Sequence, residues 1–307
     1  MRAPGKSHRV GISLLELAEK FPTEESAREW FEAQIWGDKR VCPRCGSDRT
    51  REASHKTMPY WCTAGRHYFS VRTGTVLESS KVPLQKWVWA IYLDVTSLKG
   101  VSSMKLHRDL GVCQKTAWFM QQRIREAFTA DDTPFEGPVE IDETYIGGLE
   151  KNKHAVKRQH LGRGPVGKTA VVGAKDRATN RVSAAVISET DRRTLQAFVD
   201  AHADDGVMVY TDGASAYRGR PNHEAVHHSV GEFVRGMAHT NGVESFWAML
   251  KRGYQGVYHQ MSPKHLQRYV DEFAGRHNLR ELDTIDQMRL LAAGMVGRRL
   301  LYHDLTA

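Results

Sequence analysis

The chain has 307 residues, 40% of them apolar and 26% charged. That is the balance of a water-soluble globular protein with room for about two domains of roughly 150 residues. No stretch approaches the roughly 18 uninterrupted apolar residues of a membrane span, and the basic start, MRAPGKSHRV, leads into no apolar signal core, so a cytoplasmic protein is expected and a membrane partner is not. The net charge of +8 is unevenly placed: residues 1–130 hold 21 Lys and Arg against 13 Asp and Glu, and the remainder holds 23 of each. A basic front on a balanced body suits a polyanionic partner such as nucleic acid.

After an N-terminal helical segment (1–37), Cys42 and Cys45 stand in Cys-Pro-Arg-Cys-Gly, a turn whose amides fold around two thiolates. Cys62 follows after sixteen intervening residues. Gly65 occupies the Cys-x-x-Cys position that would complete the set, and the nearest metal-competent side chain is His67. Tetrahedral zinc accepts three Cys and one His, so a structural Zn²⁺ on Cys42, Cys45, Cys62 and His67 is expected, with His55 the alternative fourth ligand, in a zinc ribbon over 38–80.

A helix is predicted after Pro83, with Leu84, Trp87, Val88, Ile91 and Tyr92 at helical spacing. Next comes LHRDLGVCQKTAWFM (106–120). Gly111 supplies a tight turn, and Cys113 sits where Ser usually caps the following helix, the pattern of a helix-turn-helix within 81–130. On its second helix Lys115, Trp118, Gln122 and Arg125 form one stripe, predicted to be exposed and to contact DNA.

Beyond a turn-rich boundary at 129–138 the pattern changes to strands at 139–146, 169–175, 181–187 and 207–211, with a helix over 190–202. Asp142 lies in the first strand and Asp212 ends the fourth. A carboxylate among β-branched residues is costly to bury unless it is paired or binds a cation. In HTNGVESFWAMLKRGYQGVYH (239–259), Val243, Phe246, Trp247, Leu250 and Tyr254 share a helical face, while Glu244 and Lys251, seven apart, share another. Two strand-borne aspartates with a helical glutamate suit two Mg²⁺ (or Mn²⁺) ions about 4 Å apart for displacement at phosphorus. Between the first two strands Lys151, Lys153, Lys157, Arg158, Arg163 and Lys168 occur with no acid among them, and are read as a loop lying on the DNA backbone.

CPRCGS, FSVRTGTVLESSKVPLQKW, TSLKGVSSMKLHRDLG, VEIDETYIGG, VGKTAVVGAKDR, VYTDGASAY, HTNGVESFWAMLKRG and MSPKHLQRYVDEFAGRHN together resemble the ISXO-like insertion-sequence transposases of bacteria, a group also similar to the Merlin elements. The likeness runs from about Phe31 to Gln287. It implies an α/β chain with a zinc ribbon, then a helix-turn-helix region, then a ribonuclease-H-like DDE catalytic domain (135–285), followed by a C-terminal tail (286–307). It gives Asp142 and Asp212 the first two acidic positions. The third falls in the HTNGVES helix, where the family varies between Glu and Asn, and where this chain offers both Asn241 and Glu244. The family usually has a fourth Cys where Gly65 stands.

Asn241 and Glu244 project from neighbouring points of one helix. A carboxylate adds negative charge against two divalent ions and an amide does not, which favours Glu244 as ligand and Asn241 as an orienting neighbour. The resulting expectation is a transposase that cuts element ends in double-stranded DNA and joins their 3′-hydroxyls to target DNA. Lys251 would lie near a phosphate, and a homodimer or larger assembly would form on DNA on the bacterial nucleoid. The alternatives are a transcription factor that binds without chemistry and a metal-dependent nuclease that cuts without joining.

Overall fold

Side-chain caps start the first helices. The computed structural model describes residues 10–128, 133–148, 154–158, 166–204, 206–212, 215–226 and 239–307. Helix α1 (Leu14–Lys20) opens with a reciprocal capping box between Ser13 and Glu16, and α2 (Glu24–Trp36) with one between Thr23 and Ser26. A three-stranded antiparallel meander follows: β1 (Thr50–Glu52), β2 (Tyr60–Cys62) and β3 (His67–Phe69). Helix α3 (Leu84–Thr96) begins after Pro83, which offers no capping side chain. The Glu24 carboxylate of α2 accepts instead from the amides of Leu84 and Gln85, at 2.7 and 2.9 Å. Helix α4 (Ser103–Leu110) stops at Gly111, whose φ of 58° is the left-handed geometry a glycine tolerates. Helix α5 (Gln114–Ala127) starts at Cys113, whose sulfur accepts from the Thr116 amide.

The second half is built on a five-stranded sheet. In chain order it runs β4 (Val139–Ile146), β5 (Thr169–Asp176), β6 (Val182–Ile187), α6 (Arg192–His202), β7 (Val209–Asp212), β8 (His223–Val226), α7 (Asn241–Gly253) and α8 (Leu266–Leu279). The strand order is β6-β5-β4-β7-β8. The first three form an antiparallel meander, and β7 and β8 lie parallel to β4 and to each other. Side chains alternate across the pleat. Val139, Ile141, Val172 and Ala174 meet Leu195, Phe198 and Val199 of α6. Ile146 and Val171 share the opposite core with Val243, Phe246 and Leu250 of α7 and Val270 and Phe273 of α8. The expected strands and their helix are found with ends moved by one or two residues; β8 was not anticipated.

The C-terminal residues differ from the expected division. The chain splits into one unit of Met1–Thr129 with Leu279–Ala307 and another of Ala130–Asn278. Helix α9 (Thr284–Gly294) packs on α2, α3 and α5, and α10 (Tyr302–Thr306) follows it. Residues 286–307 are therefore no tail, and 279–285 leave the strand-bearing unit. The reason is apolar burial: Met288, Leu291, Ala292 and Met295 join Leu17, Phe31, Trp87, Ile91, Leu106 and Ile124 in one core. Among the described residues no helix is long and apolar enough to cross a membrane.

Leu291 is 1% exposed. Leu291→Ala is expected to destabilise the first unit by about 3 kcal/mol, through lost transfer energy and the cavity left behind. Chemical denaturation checks this, with a loss under about 1 kcal/mol arguing that α9 contributes little.

Candidate active site

The alternation along β4 decides which acids share a face. Glu140 and Asp142 point to the α7 side, and Glu143 points to the α6 side. Asp212 closes β7, whose register with β4 pairs Glu140 with Tyr210 and Ile141 with Thr211. The next step of that register sets Asp142 beside Asp212 on neighbouring parallel strands, which lie about 4.8 Å apart. From α7, Glu244 is near enough to oppose ionisation of Asp142, and its carboxylate accepts from Thr240 Oγ1 at 2.8 Å. Asn241 is exposed in the first turn of α7, and Lys251 is exposed two turns beyond Glu244.

Burial pushes the Asp142 carboxyl up to about 6, with the charges of Asp212 and Glu244 adding to the rise. Glu143 is pushed up to about 7, again chiefly by burial. The Tyr217 hydroxyl donates to Glu143, which counters that rise, and the Tyr217 phenol is itself driven upward by burial and by Glu143. Carboxylates crowded in this way repel one another until a cation or protons intervene. The acids form an open group, since among the described residues only cysteines gather three potential ligand atoms within 4.8 Å of one another. Trp247 Nε1 is buried beside Asp142. It favours the charged carboxylate without forming a hydrogen bond of proper geometry.

Sequence reasoning missed what holds α7 in place. Glu140, 2% exposed, accepts from the Val243 amide at 3.0 Å and from Arg177 Nε at 2.8 Å, with His239 Nδ1 3.2 Å away. Arg177 also stacks on Tyr210 and donates to the His239 carbonyl. Lys175 Nζ donates to the Gly242 carbonyl at 3.3 Å. The available signal was the strand's own pattern, because VEIDE carries three acids and the expectation used only one.

The cysteine cluster lies in the other unit. The sulfurs of Cys42, Cys45 and Cys62 fall within 4.8 Å of one another. His67 is paired with Cys62 across the β2–β3 ladder, and its Nε2 comes within 3.1 Å of Cys42 Sγ. Its Nδ1 lies 2.8 Å from the Gly65 carbonyl, the arrangement that leaves Nε2 free as a ligand. A Cβ on Gly65 would come within 2.3 Å of the His67 ring and 3.4 Å of Cys45 Sγ, so the imidazole fills the room a side chain at 65 would need. The Gly65 amide donates to Cys62 Sγ and holds that thiol below its usual range. The three sulfurs suit a structural zinc ion, while His67 reaches Cys42 but stands outside the group of atoms within 4.8 Å of one another.

The predicted DNA-contacting residues fare unequally. Lys115 is exposed, with its ammonium 4.3 Å over the Tyr302 ring, and Trp118 is half-buried edge-on to the same ring. Gln122 and Arg125 are buried, at 0% and 2% exposure, which corrects the stripe expected along α5. The cause is packing: α3, α4 and α9 all lie on α5, and Arg298 reaches the Glu126 carbonyl. Arg158 is exposed. Lys168 is half-buried and lines an open cleft with Tyr145 and Glu189. The backbone of Lys157 closes a short 3₁₀ turn. Lys151, Lys153 and Arg163 lie outside the described residues.

Comparison with known proteins finds matches to two parts of the chain. Residues 134–278 match the ISXO2-like transposase domain, and residues 22–69 match a transposase zinc-ribbon domain. The chain is also 29% identical over 274 residues to an uncharacterized protein in transposable element ISH50 of Halobacterium salinarum, covering 84% of this chain and 92% of that one. The resemblance carried by the sequence motifs therefore holds for both domains, with the zinc-ribbon match beginning at residue 22 rather than at the expected 38.

The raised carboxyls set a pH dependence. Between the unfolded carboxylate range near 4 and the folded values of about 6 and 7, the native state binds more protons than the unfolded one. The contribution of Asp142 and Glu143 is thus complete below about pH 4 and is lost as pH rises to 7. Metal-free Asp142→Asn is expected to gain thermal stability over the parent protein as pH rises from 5 to 7.5. A constant difference across that range would show that Asp142 carries no such shift.

Proposed function

We propose that this chain, with an ISXO2-like transposase domain behind a transposase zinc ribbon, is a DNA transposase that cuts element ends and joins them to target DNA. One observation carries the reading: Asp142 and Asp212 stand on neighbouring parallel strands, with Glu244 of α7 coupled to Asp142. A sheet of three antiparallel strands followed by two parallel ones, with helices on both faces, supports a ribonuclease-H-like catalytic domain. The turn at Gly111 between α4 and α5 supports a helix-turn-helix in the basic front unit.

Asp142, Asp212 and Glu244 are the carboxylates that would hold Mg²⁺ or Mn²⁺. Such ions, when bound, neutralise charge developing on the phosphate and lower the pKa of the attacking hydroxyl. In the first displacement water attacks the phosphodiester and the 3′-hydroxyl leaves. In the second, that hydroxyl attacks a target phosphodiester and a target 3′-oxygen leaves, with no covalent enzyme intermediate. Asn241, one turn before Glu244, orients a carboxylate or the scissile phosphate. Lys251 meets a neighbouring phosphate. Lys115 and Trp118 contact the end sequence, while Lys153, Lys157, Arg158, Arg163 and Lys168 track the backbone. Two ends must be joined together, so the working form is a dimer or larger.

With Mg²⁺ and element-end duplex, the protein is expected to yield joined strands; nicks alone would make it a nuclease, and binding with neither nicks nor joined strands a transcription factor. Glu244→Gln is expected to abolish cleavage and leave end binding intact, and Asn241→Asp to keep some activity. Normal cutting by Glu244→Gln together with none by Asn241→Ala would reverse the assignment.

Elemental analysis of the purified protein is expected to find about one zinc per chain, lost on Cys42→Ser and weakened by His67→Ala. Full zinc retention in His67→Ala would give the fourth position to another ligand.

A further inference from the structure

Within the first unit, a cavity of about 310 Å³ is lined by Ser79, Lys81, Trp87, Lys115, Phe119, Arg123 and Tyr302, among others. Three cations and three aromatic rings face one space. Lys115, Phe119 and Arg123 recur four apart along α5 and so share a face.

Arg123 is the unusual member. It is 4% exposed. Its Nη2 donates to the carbonyls of Glu78 and Leu300, at 3.1 and 3.4 Å, and its guanidinium lies 4.3 Å from the Phe119 ring centre. Its Nε is buried with no hydrogen-bond partner, and no carboxylate among the described residues pairs with it. Burial alone draws its pKa down to about 10. A buried cation without a counter-charge is costly, and two carbonyls do not neutralise it. Lys81 and Lys115, both exposed, add positive charge at the same cavity, which no acid lines. The faces of Tyr302 and Phe119 are already covered by Lys115 and Arg123. That leaves little room to stack a base and favours a compact anion.

We propose that this cavity is a phosphate-binding pocket, with Arg123 at its base and Lys81 and Lys115 at its rim, that seats a phosphodiester of the DNA backbone. It rests on the reading of this chain as a DNA-binding protein, which did not assign Arg123 or Lys81. The contacts of Arg123 and Lys81 are to phosphate, so they fix position and carry no sequence preference, while Lys115 at the rim also reaches toward the end sequence.

Two measurements on the full chain test it. Inorganic phosphate is expected to raise the melting temperature of the DNA-free protein above that in chloride of equal ionic strength, and Arg123→Gln is expected to remove the shift. Binding of a random-sequence duplex across a salt series is expected to weaken about tenfold in Arg123→Gln, with the salt slope smaller by about one. If Arg123→Gln does not fold, Lys81→Gln decides, since its side chain is exposed and its loss leaves the core intact. Parental salt slope, affinity and phosphate shift in a folded variant would overturn the pocket while leaving DNA binding in place. A wild-type protein that binds no duplex would instead defeat the DNA reading, and an Arg123-dependent phosphate shift would then uphold the pocket as a site for free phosphate.

Discussion

A single buried carboxylate, Glu140, fixes where the candidate catalytic helix begins. It takes the amide of Val243, one of the donors that the first turn of α7 cannot satisfy internally, and the guanidinium of Arg177 from the end of β5. A buried ion pair adds little net stability, but removing one partner strands the other and costs about 3–5 kcal/mol. Its effect here is positional. With Glu140 two residues before Asp142 on the same strand face, the strand that carries the first acid also caps the helix that carries Glu244. A shift of α7 by one turn would move Glu244 by about 5.4 Å and break this contact.

Close approach makes that tie possible, and two glycines permit it. A Cβ on Gly242 would stand 2.7 Å from Glu140 Oε2 and 3.1 Å from Lys175 Nζ, so a side chain there would push the helix off its cap. Gly173 is paired with Asp142 across the β4–β5 ladder, and a Cβ on it would meet the Trp247 ring at 2.6 Å. The indole therefore lies over the strand beside Asp142 because the residue opposite has no side chain. Trp247 helps exclude water from that carboxylate, and desolvation is the main cause of its raised pKa. The two glycines and the carboxylate thus set both the position and the protonation of the site.

Much of this architecture was legible in the sequence. The β-branched runs gave β4 to β6, and the helical spacing of Val243, Phe246, Trp247 and Leu250 gave α7, because each buries a continuous apolar face. The four-residue β8, His223–Val226, has no such run and forms by pairing with β7. In VEIDET, pattern alone cannot separate a catalytic acid from a helix-capping one. Glu140 and Asp142 lie on the same face, and only the position of α7 above them shows which of the two meets the helix start. The stripe on α5 failed for a related reason. Polar Gln122 and Arg125 read as solvated, yet α9 returns from some 160 residues later in the chain to pack on the same helix, and single-helix periodicity carries no trace of that contact. Gly65 reads as a missing ligand, whereas the folded ribbon shows it as the space that admits His67.

Charge ties these features together. A group of carboxylates whose ionisation is already opposed by its neighbours repels a polyanion, so DNA and the acid site tolerate each other only when cations intervene. The front of the chain has the opposite bias: it holds the whole +8 excess, with Arg123 buried and, among the described residues, lacking a carboxylate partner. On the proposed ligand set, with His67 in place of a fourth cysteine, the zinc ribbon would act in the same direction. Three thiolates and a neutral imidazole around Zn²⁺ carry one negative charge fewer than four thiolates would. The zinc ribbon would thus carry less negative charge, while the strand-bearing unit gathers its carboxyl groups at Asp142, Glu143 and Asp212. On the proposed reading, phosphate binding would need no divalent ion at the acids whereas cutting would, and this would separate recognition of DNA from the chemistry performed on it.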